Sequence, residues 1–172
     1  MPRMRNIELK ARLRDIRNAR QTCKAIGAER HGVIKQTDFY FRVSSGRLKL
    51  RDNEPGDMEL IYYHRDDTEE SKASDYEIVA GSLELLGILV EALGLRLVVR
   101  KKRELWLWHN VRIHLDSVDR LGTFAEFEAV LDGDYDDADG HAKIARLRDA
   151  FGIGDEDLIA CSYVELLEGQ NG

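Results

Sequence analysis

Apolar and polar positions alternate with a period of two along most of this chain. In RNIELKARL, residues 5–13, Ile7, Leu9, Ala11 and Leu13 are apolar, while Asn6, Glu8, Lys10 and Arg12 are polar or charged. Successive side chains of a strand point to opposite faces, so this stretch predicts a strand with one apolar and one charged face. The pattern recurs in QTDFYFRV, where Thr37, Phe39, Phe41 and Val43 oppose Gln36, Asp38, Tyr40 and Arg42. GRLKLRD sets Leu48 and Leu50 against Arg47, Lys49 and Arg51, and MELIYYHRD sets Leu60, Tyr62 and His64 against Glu59, Ile61, Tyr63 and Arg65. Farther on, RLVVRKKRELWLW carries Lys101 and Arg103 in one phase. NVRIHLDSV places Arg112, His114 and Asp116 opposite Val111, Ile113 and Leu115, and TFAEFEAVL places Glu126 and Glu128 opposite Ala125, Phe127 and Ala129.

Helical spacing is confined to a few segments. DIRNARQTCKAIGAERHG repeats Ile16, Ala19, Cys23 and Ile26, with Gly32 as the expected stop. GSLELLGILVEALGL predicts a helix capped by Ser82. The end, from DDADGHAKIARLRDAFGI to DEDLIACSYVELLEG, reads as two short helices. DNEPGD, with Pro55, marks a turn between two strands, the layout of a hairpin. No internal repeat or linker composition breaks the chain, whose 172 residues suit one domain over 1–172. The fold class expected is α+β, with many antiparallel strands and flanking helices.

Composition narrows the function classes. Charged residues make up 34% of the chain and the net charge is −6, which argues against a general nucleic-acid binder. MPRMRNIELK has no apolar h-region, and the most apolar stretch is interrupted by Glu84, Glu91 and Arg96, so a soluble cytoplasmic protein without membrane contact is expected. Cys23 and Cys161 stand far apart and suggest neither a disulfide nor a zinc site. The five histidines fall into no zincin spacing and read as structural or surface residues, His114 least securely. GIGDED lacks the Lys-Ser/Thr of a phosphate-binding loop.

The signs of the charges are segregated. GRLKLR is purely basic on its polar face and FAEFEAV purely acidic, whereas a face that serves only solubility more usually mixes signs. If amphipathic helices cover the apolar phase from outside, the charged phase lines the concave side of a curved sheet or barrel. Enclosed charges are costly unless paired, hydrogen-bonded or occupied by ligand. Glu126 and Glu128, about 7 Å apart along one strand face, suit a hard divalent cation. Arg and Lys on neighbouring strands suit phosphate oxygens. A triphosphate with magnesium meets that demand.

These segments together resemble the CYTH family. NIELKAR is similar to its opening strand, whose fuller pattern is Glu-x-Glu-x-Lys; QTDFYFRVSSGRLKLRD, ELIYYHRDD, RKKRELWLWHNVRIHLDSVDRLGTFAEFEAVL and CSYVELL follow in the family's order, from residue 6 to about 168. The ending resembles that of class IV adenylate cyclase-like members. The resemblance implies a triphosphate tunnel, an antiparallel barrel of about eight strands, and a Mg²⁺- or Mn²⁺-dependent enzyme. It would act on ATP, tripolyphosphate or thiamine triphosphate by cyclisation or by hydrolysis. A catalytically weak triphosphate-binding sensor is the alternative, and a homodimer is left open. Carried over residue by residue, the metal-binding acids are Glu8, Asp116, Glu126 and Glu128, and the phosphate-binding cations are Lys10, Arg47, Lys49, Arg51, Arg65, Lys101, Arg103 and Arg112; Glu8, Lys10, Glu126 and Glu128 would be catalytic. Two positions depart from the pattern: Asn6 stands in place of the first Glu, and Asp66-Asp67 in place of Pro-Asp, a loop change expected to matter little.

Overall fold

A computed structural model describes residues 4–65 and 68–171. Asp66 and Asp67 lie outside the described residues. Eight strands form a closed antiparallel barrel: β1 (Met4–Arg12), β2 (Glu29–Phe41), β3 (Arg47–Glu54), β4 (Met58–Arg65), β5 (Lys72–Ala80), β6 (Leu95–Trp108), β7 (Val111–Val118) and β8 (Gly122–Leu131). Their order around the barrel is β1-β5-β4-β3-β2-β6-β7-β8, with β8 returning to β1. Closure leaves no open edge and gives every strand an inside and an outside.

The helices are α1 (Ile16–Ala25), α2 (Leu83–Leu93), α3 (Asp137–Ala150) and α4 (Tyr163–Gly169). The apolar phase of β1, β6, β7 and β8 faces outward under α1 and α3. Ile7, Leu9, Trp106, Ile113 and Phe127 pack there with Cys23, Ile144 and Leu147. The main core therefore lies outside the barrel wall, and the polar phase of the strands is left for the interior. A smaller core joins α4 to the barrel through Tyr40, Val99, Phe124, Tyr163, Val164 and Leu167.

Three elements differ from the sequence expectation. The first helix ends at Ala25, capped at Ile26, because Gly27 follows at φ 78 and turns the chain out of the helix. Glu29–Gly32, expected as helix, begin the long strand β2; Gly32 occupies a bulge against β6 at φ 116 instead of stopping a helix. β5 had no counterpart in the sequence reading, since KASDYEIVA lacks a clean alternation. The Ser82 cap forms as expected, Leu85 N–H donating to Ser82 Oγ at 3.1 Å, but α2 buries none of its residues. Leu83 and Ile88 are 69% and 62% exposed, so this apolar helix does not cover the barrel as α1 and α3 do.

Candidate functional site

The registers of β7, β8 and β1 decide which charges meet. Arg112 stands opposite Glu128, which stands opposite Glu8; one step along, His114 opposes Glu126, which opposes Lys10. Five charged groups and an imidazole thus occupy two adjacent rows inside the barrel. Lys10 Nζ lies 3.7 Å and Arg103 NH2 3.6 Å from Glu126 Oε2, and Arg112 Nε lies 3.3 Å from Glu128 Oε2. Arg65 from β4 reaches Glu8 at 3.5 Å.

Burial and crowding split the carboxylates. Burial, with repulsion from Glu126 and Glu8, pushes Glu128 up to about 8. Burial and the neighbouring Glu126 raise Glu8 as well. Burial works against ionising Glu126 too, but Arg103 and Lys10 outweigh it and hold its carboxyl well below the usual range. Burial also brings Lys10 down to about 8 and, with Arg103 nearby, keeps His114 neutral. Three carboxyls therefore share an enclosure in which they resist ionising together, which is a demand for added positive charge. His114, Glu126 and Glu128 offer ligand atoms within 4.8 Å of one another. This donor set fits a divalent cation.

Across the interior stands a basic wall built around Asp38 on β2. Arg51 binds it with two hydrogen bonds, 2.7 and 2.8 Å, Lys49 with one at 3.2 Å and Lys101 with one at 3.0 Å. Burial resists the charge on Asp38, but Arg51, Lys101 and Lys49 hold it well below the ordinary value. Burial lowers Lys101 to about 7. One carboxylate thus gathers three cations at the wall. In Arg65, Nε and NH2 are buried and have no hydrogen-bond partner among the described residues.

One cavity of about 460 Å³ joins the two walls. Glu8, Lys10, Lys49, Arg51, Arg65, Lys101, Arg103, Arg112, Glu126 and Glu128 all line it. Asp116 and Arg47 stand off it. Asp116, fully buried, accepts two hydrogen bonds from Arg103 at 2.8 and 2.7 Å and one from Tyr163 at 2.8 Å, so its oxygens are already engaged. Arg47 donates to Glu165 of α4 at 2.6 and 3.0 Å. Asn6 is inside, 2% exposed, and its Oδ1 accepts from Tyr76 at 3.4 Å. Arg12, in the same phase, is exposed at the end of its strand.

Sequence reasoning left out Asp38 as a site residue, although its phase in β2 pointed it at the cations. It also left out Ser74 and Tyr76, which belong to the unpredicted β5 and line the cavity. His114, read as structural or surface, stands among the acids with Nδ1 3.8 Å from Glu128 Oε1 and 4.0 Å from Glu126 Oε1.

The model of the CYTH domain matches residues 4–163. The chain therefore belongs to the CYTH domain family, and its closed barrel is the triphosphate tunnel fold. No curated protein matches it. Among solved structures it is similar to the PH1012 protein of Pyrococcus horikoshii OT3, at 23% identity and a TM-score of 0.82, covering 94% of this chain and 98% of that one. It is similar to a candidate adenylate cyclase of Vibrio parahaemolyticus at 21% identity and a TM-score of 0.75, over 95% and 97% of the two chains. A candidate adenylyl cyclase from Hippeastrum with a dominant triphosphatase activity shares 14% identity at a TM-score of 0.63, over 96% of each chain. Among the described residues, no helix is long and apolar enough to cross a membrane.

Proposed function

We propose that this CYTH-domain chain, acting as one unit over residues 1–172, is a divalent-metal-dependent cytoplasmic enzyme that hydrolyses the terminal phosphate of a triphosphate. One observation carries this reading: one cavity is lined by Glu8, Glu126 and Glu128 together with seven Lys and Arg side chains. Lys49, Arg51 and Lys101 on one side and Arg65, Arg103, Arg112 and Lys10 on the other are spaced to neutralise several phosphate oxygens at once. Arg65 brings guanidinium donors that no residue of the described chain satisfies. Asp38 and Asp116 act as positioning residues, the first for Arg51, Lys49 and Lys101 and the second for Arg103.

Glu8, Glu126 and Glu128 are the carboxylates proposed to hold Mg²⁺ or Mn²⁺. When bound, the metal supplies Lewis-acid polarisation of phosphate oxygens. Burial and repulsion from Glu126 and Glu8 raise Glu128, and a bound cation would relieve that repulsion and favour its ionised, ligating form. A second reaction, cyclisation of ATP with release of pyrophosphate, has its own support. Ile34, Ile61, Ile78 and Pro55 also line the cavity and give it apolar surface able to take a nucleobase. Product analysis with ATP and with tripolyphosphate, in Mg²⁺ and in Mn²⁺, tests the proposal. Orthophosphate from both substrates is expected. Cyclic AMP and pyrophosphate would select cyclisation, and binding without turnover would make the chain a triphosphate sensor.

A further inference from the structure

We propose that His114 is a metal ligand, and that with Glu126 and Glu128 it makes a nitrogen-containing site that favours transition cations such as Mn²⁺ and Co²⁺ over Mg²⁺. The inference rests on the reading of this cavity as metal-dependent and adds to it a ligand and a selectivity. Its first support is the register: His114 faces Glu126 directly across β7 and β8, and Glu128 follows Glu126 on the same strand face. The second is the unpaired nitrogen. His114 is 6% exposed, and its Nδ1 is buried with no hydrogen-bond partner among the described residues. A buried polar atom left unpaired is destabilising, so such atoms call for a partner.

The third support is the division of the carboxylate oxygens. Lys10 and Arg103 approach Oε2 of Glu126, and Arg112 approaches Oε2 of Glu128. The histidine Nδ1 faces Oε1 of both acids, at 4.0 and 3.8 Å. Two carboxylate oxygens turned away from the nearest cations and one ring nitrogen thus face a common space. Metal bonds of about 2.0–2.2 Å place neighbouring ligand atoms about 3–4 Å apart, so small side-chain rotations suffice to close the set. Asn6 on the adjoining strand brings no charge, and its amide oxygen is engaged by Tyr76. Mg²⁺ prefers ligand sets made of oxygen alone and holds its waters, whereas imidazole suits the transition metals.

The test uses the full chain without substrate, titrated with MgCl₂, MnCl₂ and CoCl₂ by calorimetry. It is paired with pulsed electron paramagnetic resonance of the Mn²⁺ form for coupling to a nitrogen nucleus, and each titration is repeated with tripolyphosphate. The expected result is at least tenfold tighter binding of Co²⁺ and Mn²⁺ than of Mg²⁺, with a nitrogen coupling in the wild type. His114→Gln should abolish that coupling and weaken Co²⁺ at least tenfold while moving Mg²⁺ less than threefold. Equal affinities for the three cations, or bound Mn²⁺ without nitrogen coupling in the wild type, would overturn the inference and leave the metal-dependent reading standing. Failure of all three cations to bind, with and without tripolyphosphate, would overturn both.

Discussion

At the scale of single residues, the site depends on which acid meets which cation. Asp38, 1% exposed, is the most heavily used carboxylate of the basic wall, since Arg51, Lys49 and Lys101 all bind it. Removing one member of a buried ionic cluster leaves the others uncompensated, at a cost of about 3–5 kcal/mol. Asp38→Asn should therefore lower stability by about that amount in chemical denaturation, and saturating tripolyphosphate should recover more stability in the variant than in the wild type. The ligand's oxygens can take over the three stranded cations. A loss below about 1 kcal/mol would mean that the cations repack without their acid. Asp116 has the same logic with fewer partners, because Arg103 and Tyr163 already occupy its oxygens.

At the scale of elements, strand phase separates cations that line the cavity from cations at the surface. On β6, Lys101 and Arg103 are buried and face the cavity, whereas Lys102 between them is exposed. A charge-assisted hydrogen bond contributes about 1.5–3 kcal/mol, roughly tenfold to a hundredfold in affinity. Lys101→Ala and Arg103→Ala should each weaken tripolyphosphate binding by that range in calorimetry, with Lys102→Ala within twofold of the wild type. Comparable losses at all three positions would contradict the register. The short helix α4 is fixed by electrostatics as well as by packing. Glu165 accepts from the Ser162 backbone N–H at 2.7 Å and from Arg47, and although burial opposes its charge, these partners bring it down to about 2. A carboxyl depressed in the folded state contributes stability that is complete above its ordinary value and lost as pH falls through the folded value. The wild type should lose stability between pH 4.5 and about 2 more steeply than Glu165→Gln. Parallel acid-unfolding curves for the two proteins would remove this role.

At the scale of the whole molecule, the barrel encloses many charges of both signs and tolerates them by pairing acids with neighbouring cations. A ligand that binds only the native state adds RT ln(1 + [L]/Kd), about 2.7 kcal/mol at a hundredfold excess over Kd. For a chain of this size that corresponds to a rise of roughly 5–11 °C in Tm. Metal with tripolyphosphate should produce such a rise, with monophosphate giving much less because it spans fewer of the cations. No rise at saturation would count against a cavity built for a triphosphate.

The period-two pattern by itself determined that charged side chains share one face of most strands. Pleat geometry makes alternation a local property, readable from RNIELKARL or FAEFEAV without knowing their neighbours. Local residue choice determined equally the Ser82 cap and the hairpin turn at Pro55, which depend on a few adjacent residues. Partnership across strands was decided only by the tertiary structure. Register brought Asp38 to Arg51, Asp116 to Arg103 and His114 to Glu126, contacts between residues 12 to 13 positions apart that no single-strand pattern encodes. Closure turned the weakly patterned β5 into a wall of the cavity, because pairing with β4 and β1 compensates for its poor local signal. Sequence showed which residues could share an inner face; pairing geometry decided which line the cavity and which hold the others in place.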